Sequence, residues 1–326
     1  MLSNDLPRDL PTFIARFGTD EQCRDHLFKA RWPKGFRCRA CGHDAAYVLA
    51  RRNIYECAAC SQQHSLLTGT IFEQTKTDLA KWFLAIYLVT SSKGGISAME
   101  LQRQMGFGSY QTAWSWLHKI RKAMVRPDRK PLAEQVEADE TYLGAAKPGR
   151  AGRGAVGKAV VAGAVESGRG KARGRRLGRL RLKAVPDASA TSLAGFLGQN
   201  LAKPASVVTD GWPAYAGLGE AGYTHEPVNL SRSWGDAALR LPGIPLVFGL
   251  AKRWLLGTHH GAVSGKHLQA YLDEFAFRQN RRRTRGVGRI AARVIEQLVA
   301  RPPLTMRSLI DDTRRCRWFR QPELTA

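Results

Sequence analysis

Four cysteines constrain this chain more than any other feature. Cys38, Cys41, Cys57 and Cys60 read C-x2-C-x15-C-x2-C, and a two-residue gap lets each pair present both thiolates from one tight turn to a tetrahedral Zn²⁺. A segment this short, with strand-like runs only at 47–50 and 53–56, does not fold on its own apolar surface, so the metal supplies what the core lacks. A closed four-sulfur site is structural. The alternative, buried or redox cysteines, fits a doubled spacing less well. His43 and His64 lie near in sequence and are spare ligands, while Cys23 and Cys316 read as ordinary cysteines.

Upstream, residues 8–33 carry a helical pattern with Thr19 or Asp20 as cap. Downstream, 78–91 reads as an apolar helix around Leu79, Trp82, Phe83, Ile86 and Tyr87, and Lys93-Gly94-Gly95 breaks it. Ser97 and Glu100 are spaced as a capping box. After Gly106-Phe107-Gly108, a helix from Tyr110 to Met124 completes a helix-turn-helix-like spacing. Trp114, Trp116 and Leu117 on that helix suit a core, with one side left for a DNA groove.

Past the linker 126–131, strands are expected at 135–143, 158–167 and 177–185, in sequence and hence as a meander. The Gly/Arg/Lys-rich stretches 149–157 and 168–178 read as basic hairpin tips, either solvated or on a DNA backbone. A helix at 189–201, a strand at 206–209, a helix-like stretch at 212–221, a strand at 224–229 and a helical C-terminal third follow. The fold class is α/β: a mixed sheet with flanking helices, preceded by the ribbon and the helical module.

Charge points toward a polyanionic partner. Lys plus Arg number 51 against 27 Asp plus Glu, a net +24, and such a chain repels itself unless a polyanion is near. A ribosomal or membrane-surface protein shows the same balance, so charge alone does not decide. No apolar run reaches the ~18 residues of a membrane span, and the start lacks the basic-then-apolar order of a signal peptide. The expectation is a cytoplasmic, nucleoid-associated protein with no membrane partner.

Two aspartates stand out. Strand alternation puts Asp139 on one face with Glu137 and Thr141, and Glu140 on the other with Ala138 and Tyr142; a carboxylate in mid-strand is costly without a partner. Asp210 follows the apolar strand Ser206-Val207-Val208-Thr209, where ligands gather at a strand's carboxyl end. Two such aspartates suit a shared divalent cation, although an Asp beside a turn is commonly structural.

The chain resembles the zinc-ribbon insertion-sequence transposases of ISXO type, whose DDE-type catalytic domain is ribonuclease H-like. The resemblance runs over about residues 20 to 300. It is carried by Arg31-Trp32-Pro33-Lys34-Gly35-Phe36 with the cysteine pairs, Thr68-Gly69-Thr70, Glu137 to Tyr142, Thr209-Asp210-Gly211-Trp212, Lys252 to His259, and Tyr271 to Arg282. It implies metal-dependent cleavage and transfer of DNA strands at terminal inverted repeats. Asp139 and Asp210 match the first two ligands of a two-metal Mg²⁺ or Mn²⁺ site, and double-stranded DNA, as transposon ends and target, is the partner of a homo-oligomer.

The third ligand is where the chain departs, because Pro245 stands in its place. Asp236 and Glu274 are the carboxylates left to substitute. A proline inside a helix also removes a backbone hydrogen bond, and the reading is a weakened or inactive copy, the alternative being a remnant that binds DNA only. A zinc-ribbon transcription or RNA-processing factor explains the cysteines and charge but not the aspartates. Lys252, Arg253, Arg278, Arg281 and Arg282 are the candidate DNA contacts, against a solvated basic helix. The expected domains are an N-terminal helical segment (1–34), zinc ribbon (35–72), helical DNA-binding module (73–130), ribonuclease H-like domain (131–285) and C-terminal helical tail (286–326).

Overall fold

A computed structural model describes Pro7 and residues 9–49, 52–144, 158–169, 175–228, 240–260, 265–284 and 286–314. The N-terminal elements are α1 (Leu10–Phe17), α2 (Asp20–Arg31), β1 (Ala46–Leu49), β2 (Ile54–Cys57), β3 (Gln63–Ser65), α3 (Leu79–Ser91), α4 (Ala98–Met105) and α5 (Tyr110–Ala123). Then come β4 (Gln135–Leu143), β5 (Ala159–Arg169), β6 (Arg175–Val185), α6 (Ala190–Asn200), β7 (Ser206–Thr209), a 3-10 turn at Pro213–Leu218 and β8 (Thr224–Pro227). The helices α7 (Gly243–His259), α8 (Leu268–Arg281), α9 (Val287–Ala300) and α10 (Met306–Arg314) close the chain. Among the described residues no helix is long and apolar enough to cross a membrane.

The chain divides into two compact units, Met1–Arg126 with Arg283–Asp311, and Pro127–Arg282 with Asp312–Ala326. In the first, local chemistry sets the helix ends. Thr19 Oγ1 accepts from Gln22 N while Gln22 Oε1 accepts from Thr19 N, a reciprocal cap on α2. Asp20 Oδ1 also reaches Leu79 N at 2.5 Å and so caps α3, whose own Asp78 makes no side-chain cap. Ser97 caps α4, but the Glu100 carboxylate turns to Arg103 and Gln104, so the expected capping box is one-sided.

Trp82 and Trp116 stack at 3.5 Å and 7°. Trp116 and Leu117 are buried, and α5 leaves its first turn, Tyr110 and Gln111, most exposed. The helix is therefore mostly core, as its apolar periodicity suggests. Residues 286–326, read from the sequence as a separate tail, contribute α9 to this unit. There Ala291, Ala292, Val294, Ile295 and Leu298 are buried, and α9 packs on α2, α3 and α5.

The second unit is built on a five-stranded sheet of order β6-β5-β4-β7-β8. β4, β5 and β6 form the expected antiparallel meander, while β7 runs parallel to β4 and β8 parallel to β7. This is a ribonuclease H-like sheet. Period-two alternation loads both faces. Val136, Ala138, Val160, Ala162 and Val207 meet Leu193, Phe196 and Leu197 of α6. Val161, Val165, Leu180, Leu182 and Val208 meet Ile244, Val247 and Phe248 of α7 and Leu268, Leu272 and Phe275 of α8.

Gly163 sets how closely α7 approaches. A Cβ there would stand 2.7 Å from Phe248 Cε1 and 2.9 Å from Ile244 Cδ1. Gly163→Ala is expected to destabilise this unit by about 1–3 kcal/mol through overpacking, read as a lower urea midpoint; an unchanged midpoint would mean that the helix shifts freely.

Candidate metal centres

The ribbon is two hairpin turns of one design. In the first, Gly42 at φ +76 brings its N–H to Cys38 O at 3.1 Å, and Cys38 N donates to His43 O at 2.8 Å. In the second, Ser61 takes the left-handed place at φ +54, with Ser61 N to Cys57 O and Cys57 N to Gln62 O both at 3.0 Å. The two turns aim four sulfurs at one point. Cys38 Sγ stands 3.7 Å from Cys60 Sγ, and Cys41 Sγ stands 3.5 Å from Cys57 Sγ. A tetrahedral zinc with ~2.3 Å bonds has a sulfur–sulfur edge of ~3.8 Å, so the donors fit Zn²⁺.

These four alone make a cluster of three or more metal donors among the described residues. His43 is outside it, and His64 Nε2 lies 3.2 Å from Cys38 Sγ as a neighbour of the set. The Cys41 backbone N–H, then that of Ala40 and the His64 ring, lower the Cys38 thiol to about 5, toward the thiolate that binds metal. Cys23 is instead buried among helices, and burial pushes its thiol up to about 12. Cys316 lies outside the described residues.

The motif beginning at Arg31 ties the ribbon to α2. Arg31 donates to the carbonyls of Ser65 at 3.1 Å, Thr68 at 2.6 Å and Leu66. Burial lowers this guanidinium to about 10. Trp32, Phe36 and Phe28 gather on Tyr55 of β2. Nothing in the spacing of the cysteines reveals this clamp; a basic residue beside Trp-Pro is its only trace.

On the sheet, β4 alternates as read from the sequence. Val136, Ala138 and Tyr142 lie on the α6 face, where Glu140 Oε2 accepts from Tyr215 OH at 2.9 Å. Glu137 points to the α7 face, where it meets the helix backbone. The parallel register pairs Val136 with Val207 and Glu137 with Val208. Two residues further along each chain segment, Asp139 stays on the α7 face of β4 and Asp210 follows directly after the end of β7.

Both aspartates are half-buried. Asp139 Oδ1 accepts from Glu140 N at 2.8 Å, and Asp210 Oδ1 from Trp212 N at 3.0 Å, the latter an Asx turn. Burial, then the charges of Glu140, Asp139 and Asp210, push the Tyr215 phenol far up. The phenol therefore stays neutral and serves as a donor to Glu140.

Position 245, read from the sequence as that of a third ligand, lies on α7. Pro242 is its N-cap and Gly243 its first residue, so Pro245 is the third, exposed in the first turn. This corrects one expectation: the N–H that proline lacks there has no partner within a helix, so no hydrogen bond is lost. Glu274 is only 1% exposed, and its Oε1 accepts from Arg278 Nε at 2.9 Å and Nη2 at 2.6 Å. It does not join Asp139 and Asp210 in a donor cluster. Asp236 lies outside the described residues.

The basic residues separate in the same way. Lys252 and Arg253 are exposed on α7. Arg278 is held by buried Glu274. Arg281 lies 3.8 Å over the Phe277 ring, and Arg282 donates to the carbonyls of Gln279 and Leu177. The stretch 149–157 lies outside the described residues. The residue that sequence reasoning missed is Glu137: its cost in mid-strand was visible, but its partners lie more than a hundred residues away.

Residues 131–280 match the ISXO2-like transposase domain, and residues 18–63 match the transposase zinc-ribbon domain. A protein from Halobacterium salinarum, described as an uncharacterized protein in transposable element ISH50, is 26% identical over 281 residues, covering 82% of this chain and 92% of that one. No solved structure matches. With a four-thiolate ribbon ahead of a five-stranded ribonuclease H-like sheet, and both segments matched in that order, the chain belongs to the zinc-ribbon, ISXO2-like insertion-sequence transposases.

Proposed function

We propose that the chain binds the terminal inverted repeats of an insertion sequence and carries, at Asp139 and Asp210, a strand-transfer site weakened at its third ligand. The observation that supports this is the parallel β4–β7 register, which pairs Glu137 with Val208, each two residues before a half-buried aspartate, Asp139 in β4 and Asp210 just past β7. Hard oxygen donors so placed fit Mg²⁺ or Mn²⁺, which when bound activates an attacking water or 3′-hydroxyl and steadies the leaving oxygen. The protein's own work is to hold the two carboxylates still. The backbone N–H groups of Glu140 and Trp212 orient one oxygen of each. Exposed Lys252 and Arg253 are placed for a phosphate backbone, and the ribbon and α4–α5 module supply further DNA contacts. Holding two transposon ends together calls for a homo-oligomer.

A second reading, a DNA-binding remnant that cuts nothing, is favoured by Pro245 in the third position and by the commitment of Glu274 to Arg278. Supercoiled DNA carrying the element's ends, incubated in Mn²⁺ and in EDTA beside an Asp139→Ala, Asp210→Ala control, separates the two. End-specific binding with slow, metal-dependent nicking absent from the control supports the first; binding without nicking supports the second. Asp210→Ala is expected to weaken Mn²⁺ binding at this site at least ~10-fold. An unchanged titration would remove Asp210 from it.

A further inference from the structure

Glu137 is wholly buried, on the Asp139 face of β4 and two residues before it. Its Oε2 accepts from Gly243 N at 2.6 Å and Ile244 N at 3.0 Å, the first two residues of α7. Helices leave their first N–H groups without internal partners, and here the sequence answers each one. Pro242 and Pro245 have no N–H, and the two residues between them both donate to Glu137. The carboxylate also faces the positive end of the helix dipole.

The fit depends on glycine. A Cβ at Gly243 would stand 2.8 Å from Glu137 Oε2 and 2.5 Å from Leu177 Cδ2. One turn along, Phe248 and Ile244 rest over Gly163, the β5 partner of Asp139. The first turn of α7 is thus held at two points, beside and opposite Asp139.

We propose that Glu137 is a positioning residue, a buried carboxylate that latches the first turn of α7 to the sheet and so sets where residue 245 stands relative to Asp139 and Asp210. It does not act as a metal donor itself: among the described residues it forms no donor cluster with the two aspartates. The functional half of the proposal rests on the reading of that pair as a metal site; the latch does not.

Two measurements on the zinc-loaded full chain separate these halves. In the first, amide exchange at Gly243 and Ile244 is followed by NMR. Losing a hydrogen bond to a charged group is worth about 10- to 100-fold in opening, so Glu137→Ala is expected to speed exchange by that factor and isosteric Glu137→Gln by less. Gly243→Ala is expected to do the same, with the double variant no worse than either single one. Unchanged protection in Glu137→Ala, or fully additive effects, overturns the latch.

In the second, Mn²⁺ affinity is read in a Pro245→Glu background. Adding Glu137→Gln is expected to weaken it at least ~10-fold with both aspartates intact. Faster exchange with unchanged Mn²⁺ affinity would overturn the positioning role. A Pro245→Glu chain that binds no Mn²⁺ at this site would instead count against the metal-site reading, and the exchange measurement would still decide the latch.

Discussion

Removing zinc is expected to unfold the ribbon, residues 35–72, and to leave the helices of the first unit and the whole second unit folded. The ribbon's three strands have four, four and three residues. The outer strand leaves Tyr47 66% and Val48 63% exposed, so little apolar surface is buried there. Structural zinc supplies on the order of 10–16 kcal/mol in peptides of this kind, far more than the sheet itself provides. The helices differ, because Phe13, Phe17, Leu27, Phe83 and Ile86 are buried without the metal's help.

The test is zinc content by atomic absorption, one ion per chain, followed by chelation and limited proteolysis. Cleavage confined to 35–72, together with loss of the near-ultraviolet signal of the Phe28, Trp32, Phe36 and Tyr55 cluster, is the expected result. Full protease resistance after the metal has gone would refute a structural role for it. Cys57→Ser should reproduce the chelated state, since Cys57 is one of the two buried thiols.

Pro245→Glu is expected to raise metal-dependent nicking of end-bearing DNA by about 10²- to 10³-fold. A third oxygen ligand stabilises transition-state charge by several kcal/mol, and each 1.36 kcal/mol is about tenfold in rate. Three observations make the site tolerant. Position 245 is exposed, it is the third residue of α7, and the neighbouring first-turn N–H groups are already bonded to Glu137. A glutamate there suits the helix dipole and should change stability by less than ~1 kcal/mol. Pro245→His is the neutral-ligand comparison. No gain in either variant, with Asp139 and Asp210 intact and DNA still bound, would place the missing ligand elsewhere, and Asp236 would be mutated next.

Much of this protein is legible in its residues because the signals are local. The cysteine spacing acts through turns of four residues, so the zinc donors could be named from the sequence, and all four sulfurs lie within 4.8 Å of one another. The strands of the second unit follow from period-two runs bounded by Gly and charge, and the face of Asp139 follows from that period. The helix caps at Thr19 and Ser97 are three-residue patterns, and the structure alters only the partner of Glu100.

What the residues alone leave open depends on which distant elements meet. Periodicity puts Glu137 on a face but cannot name the helix 106 residues on whose N–H groups it accepts. The same limit hides the Glu274–Arg278 pair, since a helical i,i+4 spacing looks alike whether its carboxylate is exposed or, as here, buried. α9 reads as a tail until α2, α3 and α5 are seen to cover it. The sequence by itself determined the zinc donors, the three-strand meander and the face of Asp139. Only the tertiary structure decided that Glu137 faces a helix end and Glu274 an arginine, because a buried charge is defined by the partners that packing brings to it.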